Sequence, residues 1–436
     1  MTAHGRSTVQ HDVVIVGGGP AASFTALFLL QQGIRPLIVE RESFPRFHIG
    51  ESLTGEVGGI LRDLGLEAEL AARRFPIKHG VTVYGAKGTN TFWVPVMRRH
   101  HDGDLTSTTT WQVRRDEFDQ FLLETAVARG ASLVKGDADG VLRDAGAVCG
   151  VWVKTAEGPR EVRCRILVDA SGQKTFLANQ GVTGPKQRGN YEKQIGIFSR
   201  VTGAVRDPGD AEGNTLIFYQ EKHHWAWFIP ISDTETSIGV VVPGEHFSRS
   251  GTSLEEFLEW KLRHLNPALT ARLETITFTE PVRTASNYSY QVKGFTGPGF
   301  VCVGDSHRFT DPIFSFGVFF SANEAKLAAA AIRDVLANST ERSADPFAGY
   351  EATCDFGQQV IQDVIDFFWE YPLAFQMMAH KSHKGEITDC FAGRVYPAHQ
   401  PSEAVLTMRR MLQRVRTPGA VPEPVGAGSH PALGSR

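Results

Sequence analysis

Asp12-Val13-Val14-Ile15-Val16-Gly17-Gly18-Gly19-Pro20-Ala21-Ala22 decides the fold. Its branched apolar run reads as a buried strand, the glycines as a tight turn, and Pro20 as the first residue of a helix reaching about residue 32. A second apolar strand at 36–40 ends on Glu40, which completes a βαβ unit. Glycines at Gly17 and Gly19 let backbone approach a pyrophosphate, and that anion then lies against the positive end of the helix dipole. Ala21 and Ala22 open the helix. Ala22 stands where a third glycine is usual, which adds a methyl at the helix–strand contact and leaves the phosphate turn intact. Glu40 is placed to accept hydrogen bonds from an adenosine ribose. Glycine turns also join strands to helices without a ligand, but strand, turn, helix and acidic residue here agree on dinucleotide binding.

Beyond this unit, strand patterns at 131–135, 147–153, 161–168, 194–202, 215–219, 225–231 and 236–242 follow one another mostly without helices, which implies a largely antiparallel second sheet. A strand at 300–303 and an apolar helix at about 317–336 return to the style of the first unit, so the nucleotide domain is discontinuous. We assign it residues 12–85, 108–182 and 295–345, with 86–107 and 183–294 as a substrate-side β-sheet domain and 346–415 as a helical region. Phe367, Phe368, Trp369, Tyr371 and Phe375 concentrate aromatic surface in that region, as core or as a substrate lid. Residues 1–11 are polar and 416–436 rich in Pro, Gly and Ala; both are expected to be flexible and to carry no chemistry.

Composition excludes several classes. Forty-five basic residues face 48 acidic ones, a net charge of −3 without long single-sign runs, which argues against a nucleic-acid partner. Five scattered cysteines form no CxxC pair, so neither a metal site nor a redox dithiol is expected, and a reducing cytoplasm suits them. There is no secretory leader pattern, and no apolar run approaches the ~18 residues of a membrane span.

Further segments carry a resemblance. Asp169-Ala170-Ser171-Gly172 and Gly304-Asp305, each after a strand, Arg115 ahead of Phe118-Asp119, and Phe44-Pro45-Arg46 before Gly50-Glu51-Ser52 resemble the contacts of glutathione-reductase-type and hydroxylase-type flavoproteins. The resemblance implies an α/β fold of that FAD-binding type, with an inserted, mainly antiparallel sheet domain and a helical C-terminal region. It implies FAD held by Gly17, Gly19, Pro20, Ala21, Ala22, Glu40, Arg41, Arg46, Ser52, Arg115, Asp169, Gly172, Asp305, Pro312 and Gly317.

Trp225-Ala226-Trp227-Phe228-Ile229-Pro230 matches the WxWxIP signature of flavin-dependent halogenases, which the chain resembles over about residues 12–390. In a strand Trp225 and Trp227 face one side. With Ile229 and Pro230 they resemble the wall that keeps substrate from the flavin; by itself the stretch reads as an aromatic core strand. Phe75-Pro76-Ile77-Lys78-His79-Gly80 resembles the segment bearing the catalytic lysine, which either hydrogen-bonds hypohalous acid or becomes a haloamine; its plain alternative is an exposed lysine. Phe309-Thr310-Asp311-Pro312-Ile313-Phe314-Ser315-Phe316-Gly317 matches FxxPxxSxG, whose backbone at Ser315, Phe316 and Gly317 is expected to cradle halide, or merely to cap a helix. Phe316 stands where family members acting on phenols and pyrroles usually carry a small or polar residue, so the resemblance implies a narrower or altered halide site. Phe314 stands where tryptophan halogenases have a glutamate, which argues against free tryptophan as substrate.

The family resemblance implies FADH2 from a separate NAD(P)H-dependent flavin reductase, O2, chloride or bromide, and an electron-rich phenolic or pyrrolic substrate, free or tethered to an acyl or peptidyl carrier protein. The alternatives are a flavin monooxygenase or oxidoreductase on the same scaffold and a non-catalytic FAD-binding protein. Arg409, Arg410, Arg414 and Arg416 cluster near the C-terminus, as a carrier contact or a solvated helix face.

Overall fold

The chain alternates at first between strands too apolar to face water and helices that cover them. In the computed structural model, which describes residues 10–99, 104–188, 193–286, 289–338, 345–396 and 401–416, β1 (Gln10–Val16) leads through the glycine turn into α1 (Pro20–Gln31) and β2 (Leu37–Glu40). There follow β3 (Ile77–Lys78), β4 (Gly80–Tyr84), β5 (Thr91–Pro95), α2 (Arg115–Ala128), β6 (Ser132–Lys135), β7 (Asp137–Asp144), β8 (Ala147–Thr155) and β9 (Gly158–Asp169). The chain continues through β10 (Gln194–Thr202), β11 (Thr215–Glu221), β12 (His224–Pro230), β13 (Thr236–Pro243), α3 (Leu254–His264) and β14 (Phe300–Cys302). It ends in α4 (Gly317–Ala337), α5 (Ala348–Glu370), α6 (Pro372–Met377), α7 (Lys384–Phe391) and α8 (Glu403–Arg416). The expectations for the first nine residues and for 417–436 fall outside the described residues.

The first sheet runs β7-β8-β9-β1-β2-β6, with β14 on β9. β1 is parallel to β2 and β9, β2 to β6, and β9 to β14. Two strands expected in the second sheet therefore belong here, at 131–135 and 161–168, and 147–153 joins them through the β7-β8-β9 meander. The reason is burial on both faces: Ile166, Leu167 and Val168 form a continuous buried run suited to a central parallel strand, and α2 provides the crossover to β6.

The second sheet runs β10-β13-β12-β11-β4-β5, antiparallel except where β11 lies parallel to β4. Its two faces follow the period of two. Ala226 and Phe228 turn to an outer core covered by α3, whereas Trp225, Trp227 and Ile229 turn to the main core. That inner face meets the segment before α4 and the helices α5 and α6, and the candidate site lies along this seam. Among the described residues no helix is long and apolar enough to cross a membrane.

Candidate active site

The nucleotide end is built by close backbone approach. Gly17 has φ +110°, and a Cβ there would lie 2.4 Å from the Ala170 carbonyl oxygen, so the first turn and the 169–172 turn interlock. A Cβ on Gly18 would meet the Glu40 side chain at 2.8 Å, and one on Gly19 the Arg46 guanidinium at 3.2 Å. Gly304 approaches Ala21 and so brings Asp305 to the same end of α1. That helix starts on Gly19 with no side-chain cap and no acidic residue in its first turn. Uncapped amides, a helix dipole and a neighbouring arginine fit a pyrophosphate, and Glu40 at the end of β2 fits a ribose.

Arg115 locks the covering loop. Buried, it makes a bidentate pair with Asp119 (2.7 and 2.9 Å) and donates to the Ile49 and Gly50 carbonyls. Arg46 shares Asp119 at 3.4 Å. Burial lifts the Asp305 carboxyl to about 7, against the opposing pull of Arg115. The Asp169 carboxylate accepts from the Ser171 and Leu177 amides and so shapes the 169–172 turn. Arg41 is exposed beside Glu42, and Gly172 takes φ +62° in the turn.

Lys78 lies buried at the end of β3, separated from β4 by His79 alone. β3 pairs it with Thr110, and Asn214 Oδ1 accepts from the His79 and Gly80 amides, which fixes the strand exit. Its side chain is 3 % exposed, and Nζ donates to Ser52 Oγ (2.8 Å) and the Leu53 carbonyl (2.9 Å). Ser52 Oγ is 2.8 Å from Thr215 Oγ1, which accepts from Gln112 Nε2 at 2.8 Å. Burial pushes the amine down to about 7. The Ser52 hydroxyl, expected at the cofactor, accepts from Lys78. Ser52 and Thr215 are 163 residues apart, and neither Thr215 nor Gln112 carries a motif that would have singled it out.

The Trp225 and Trp227 rings lie 5.9 Å apart on the inner face of β12, tilted by 49°. Trp227 fits over Gly239, where a Cβ would stand 2.3 Å from the ring, and donates to Ser237 Oγ at 3.1 Å. The buried Trp225 Nε1 has no acceptor among the described residues. Ile229 extends the same face, and Pro230 ends the strand.

The 309–317 segment supplies the opposite side. Asp311 caps the turn by accepting from the Ile313 amide at 3.0 Å and from Trp369 Nε1 at 3.1 Å; burial raises its carboxyl to about 6. Ser315 has φ +61° and its amide donates to the Pro312 carbonyl, so that N–H is already used. Of the three amides expected to cradle halide, that of Ser315 is engaged within the turn, and those of Phe316 and Gly317 lie at the start of α4, whose first turn lacks an acid and a side-chain cap. The Phe316 ring is buried against Phe319 and Phe391. Phe314 packs edge-on to Phe368 and stacks on Phe375, so the aromatic stretch of α5 and α6 packs as core against the 309–317 segment. Asp311 and Thr215 were not singled out as site residues from sequence.

A family model described as an FAD binding domain matches residues 10–364. The chain is 37% identical over 366 residues to a 1H-pyrrole-2-carbonyl-[peptidyl-carrier protein] brominase of Pseudoalteromonas luteoviolacea, covering 84% of this chain and 87% of the relative. It is 28% identical over 429 residues to the corresponding chlorinase of Pseudomonas fluorescens, covering 94% of each. The chain belongs to the flavin-dependent halogenases. The solved structure of a flavin-dependent brominase superposes on this halogenase with a TM-score of 0.87 at 36% identity, over 94% of this chain and 99% of that one. The halogenase is a flavoprotein enzyme that uses FAD, and its βαβ turn with Glu40 and Arg46 is where that cofactor fits.

Proposed function

We propose that the halogenase brominates or chlorinates a pyrrole-2-carbonyl group carried as a thioester on a peptidyl carrier protein, using FADH2 from a separate flavin reductase. The reading rests on one observation: Lys78 is 3 % exposed, held by Ser52 and the Leu53 carbonyl, with no counter-charge acting on it. It draws its substrate from the two pyrrolyl-carrier relatives. In this reading the flavin lies over residues 12–85, 108–182 and 295–345 in a glutathione-reductase-type arrangement, and the enzyme works in the cytoplasm.

FAD, reduced and bound, supplies the two-electron chemistry with O2 that converts halide to hypohalous acid. Gly17, Gly19, Pro20 and Arg46 would hold its pyrophosphate, Glu40 its ribose and Asp305 its ribityl chain, while the Phe316 and Gly317 amides hold halide. Trp225 and Trp227 keep an aromatic ring from reaching the flavin, which favours halide over hydroxylation of the substrate. With its amine near 7, Lys78 is partly neutral at physiological pH, and the neutral nitrogen takes halogen from hypohalous acid as water leaves. A pyrrole carbon then takes the halogen, and the ring proton returns to the lysine nitrogen or solvent. Buried Phe314, in place of a carboxylate, suits a neutral heteroaromatic ring.

The test is reconstitution with a pyrrolyl-loaded carrier, flavin reductase, NADH, FAD and bromide or chloride, read by mass spectrometry of the carrier. A halogen isotope pattern that requires added halide is expected. Hydroxylated pyrrole, or product independent of halide, overturns the proposal.

A further inference from the structure

Resting on the carrier-tethered substrate just proposed, we infer that the outer face of α6 and the turn after it, centred on Leu373, Met377, Lys381 and Lys384, is the docking site for an acidic helix of the carrier protein. Leu373 is 75% exposed and Met377 63%, the highest values among the described large apolar side chains. One helical turn apart, they project from the same face. Isolated apolar side chains on a surface are ordinary, but an adjacent pair this exposed marks an interaction face.

The charge next to the pair has one sign. The chain continues from Met377 into a π-helical turn, Met378–Ser382, a departure from regular helix that is frequent at functional sites. His380, Lys381 and Lys384 are exposed there, and neither lysine forms an ion pair among the described residues. The acids flanking the face are occupied: Glu370 pairs with Lys222 at 2.6 Å, and Glu386 accepts from the Ala404 amide at 2.6 Å and from His383 at 3.4 Å. Two apolar side chains followed by two unneutralised ammonium groups fit a helix that presents apolar residues between carboxylates. The arginine cluster near the C-terminus fits it less well, because Arg409 is committed to Asp363 and Arg410 to Glu403.

Position supports the assignment. On its buried side α6 carries Phe375, which lies 5.9 Å from Phe92, 5.4 Å from Phe368 and 6.1 Å from Phe314 between ring centroids. Phe314 immediately precedes the halide segment, and Phe368 touches Tyr219 on the strand beside the tryptophans. The exposed face is therefore the outside of the helix that packs on the aromatic cluster beside the 309–317 segment, about one helix diameter, ~10 Å, from that cluster. A carrier seated there needs only its flexible thioester arm to bring a pyrrole inside.

The experiment compares a pyrrolyl-loaded carrier with the same acyl group on synthetic pantetheine, which lacks the protein. The double variant Lys381→Glu/Lys384→Glu is expected to raise KM for the carrier substrate about tenfold, with kcat at saturation unchanged. Added salt should raise the wild-type KM toward the variant's. Leu373→Asp should act in the same direction, while turnover of the pantetheine substrate stays at the wild-type level and shows that each variant is folded. Reversing acidic residues of the carrier helix to lysine should restore binding to the Glu double variant. An unchanged carrier KM in both variants overturns the inference, and so does a loss of self-association in Leu373→Asp, which would make this face a contact between copies of the chain. Should the wild type halogenate neither substrate, the functional reading fails, yet fluorescence anisotropy of labelled carrier still decides the docking site. Equal affinity for wild type and double variant then refutes it.

Discussion

Replacing Lys78 by Met should abolish halogenation and at the same time alter how stability depends on pH. Burial lowers this amine from 10.5 to about 7; at 1.36 kcal/mol per pH unit, carrying the ammonium here costs about 5 kcal/mol. Because the native value lies below the unfolded one, the unfolded chain keeps a proton between pH 7 and 10.5 that the native protein has released. Wild-type stability therefore rises with pH through that window, and below pH 7 the whole penalty applies. Methionine carries no such penalty. It does leave Ser52 Oγ and the Leu53 carbonyl without their donor, at about 1–3 kcal/mol each, although Ser52 retains Thr215. Lys78→Met is thus expected to be at least as stable as wild type at pH 6.5 and to lose about 3 kcal/mol relative to it by pH 9. Urea unfolding of both proteins, followed by tryptophan fluorescence at pH 6.5, 7.5 and 9, measures the difference, and titrations common to the two cancel. A difference that stays constant across this range would refute the buried, uncompensated lysine.

Other outcomes follow from the same geometry. Halogen transfer through a neutral amine makes kcat/KM rise through pH about 7; Ser52→Ala removes an acceptor that favours the ammonium and should move that limb down by about one pH unit, whereas an unmoved or rising midpoint contradicts the hydrogen bond. Trp225→Phe should destabilise less than Trp227→Phe by about 1–2 kcal/mol, because only Trp227 loses an indole hydrogen bond while Trp225 sheds an unsatisfied N–H; urea melts of the pair decide it. Gly17→Ala, with φ +110° and its Cβ 2.4 Å from a backbone oxygen, should lower the Tm of the apoprotein. Gly18→Ala meets only the Glu40 side chain and should weaken FAD in a binding titration while leaving that Tm nearly unchanged.

Local patterns were legible where chemistry and periodicity coincide within a few residues. The glycine turn, its helix and Glu40 follow from spacing, and the shared face of Trp225 and Trp227 follows from the strand period. Sheet membership was not, since the run at 161–168 reads as a buried strand in either sheet and only its pairing with β1 settles the matter. The same limit hid the environment of Lys78. Lys78 meets Ser52 and the Leu53 carbonyl, and Ser52 in turn meets Thr215, which accepts from Gln112; these contacts join distant segments, so neither the burial of the lysine nor its partners could be read along the chain. At 315–317 the motif was plain but its geometry was not: the left-handed turn at Ser315 uses one amide internally and sends the Phe316 ring into the core.

The central claim is that hypohalous acid forms on one side of the tryptophan pair and is delivered only through Lys78. The direct measurement supplies Lys78→Met with FAD, flavin reductase, NADH, bromide, pyrrolyl-loaded carrier and an excess of the hypohalite trap monochlorodimedone. The account predicts that the trap is brominated while the carrier-bound pyrrole stays unmodified. Bromopyrrole formed by this variant at the wild-type rate, with the trap untouched, would contradict it.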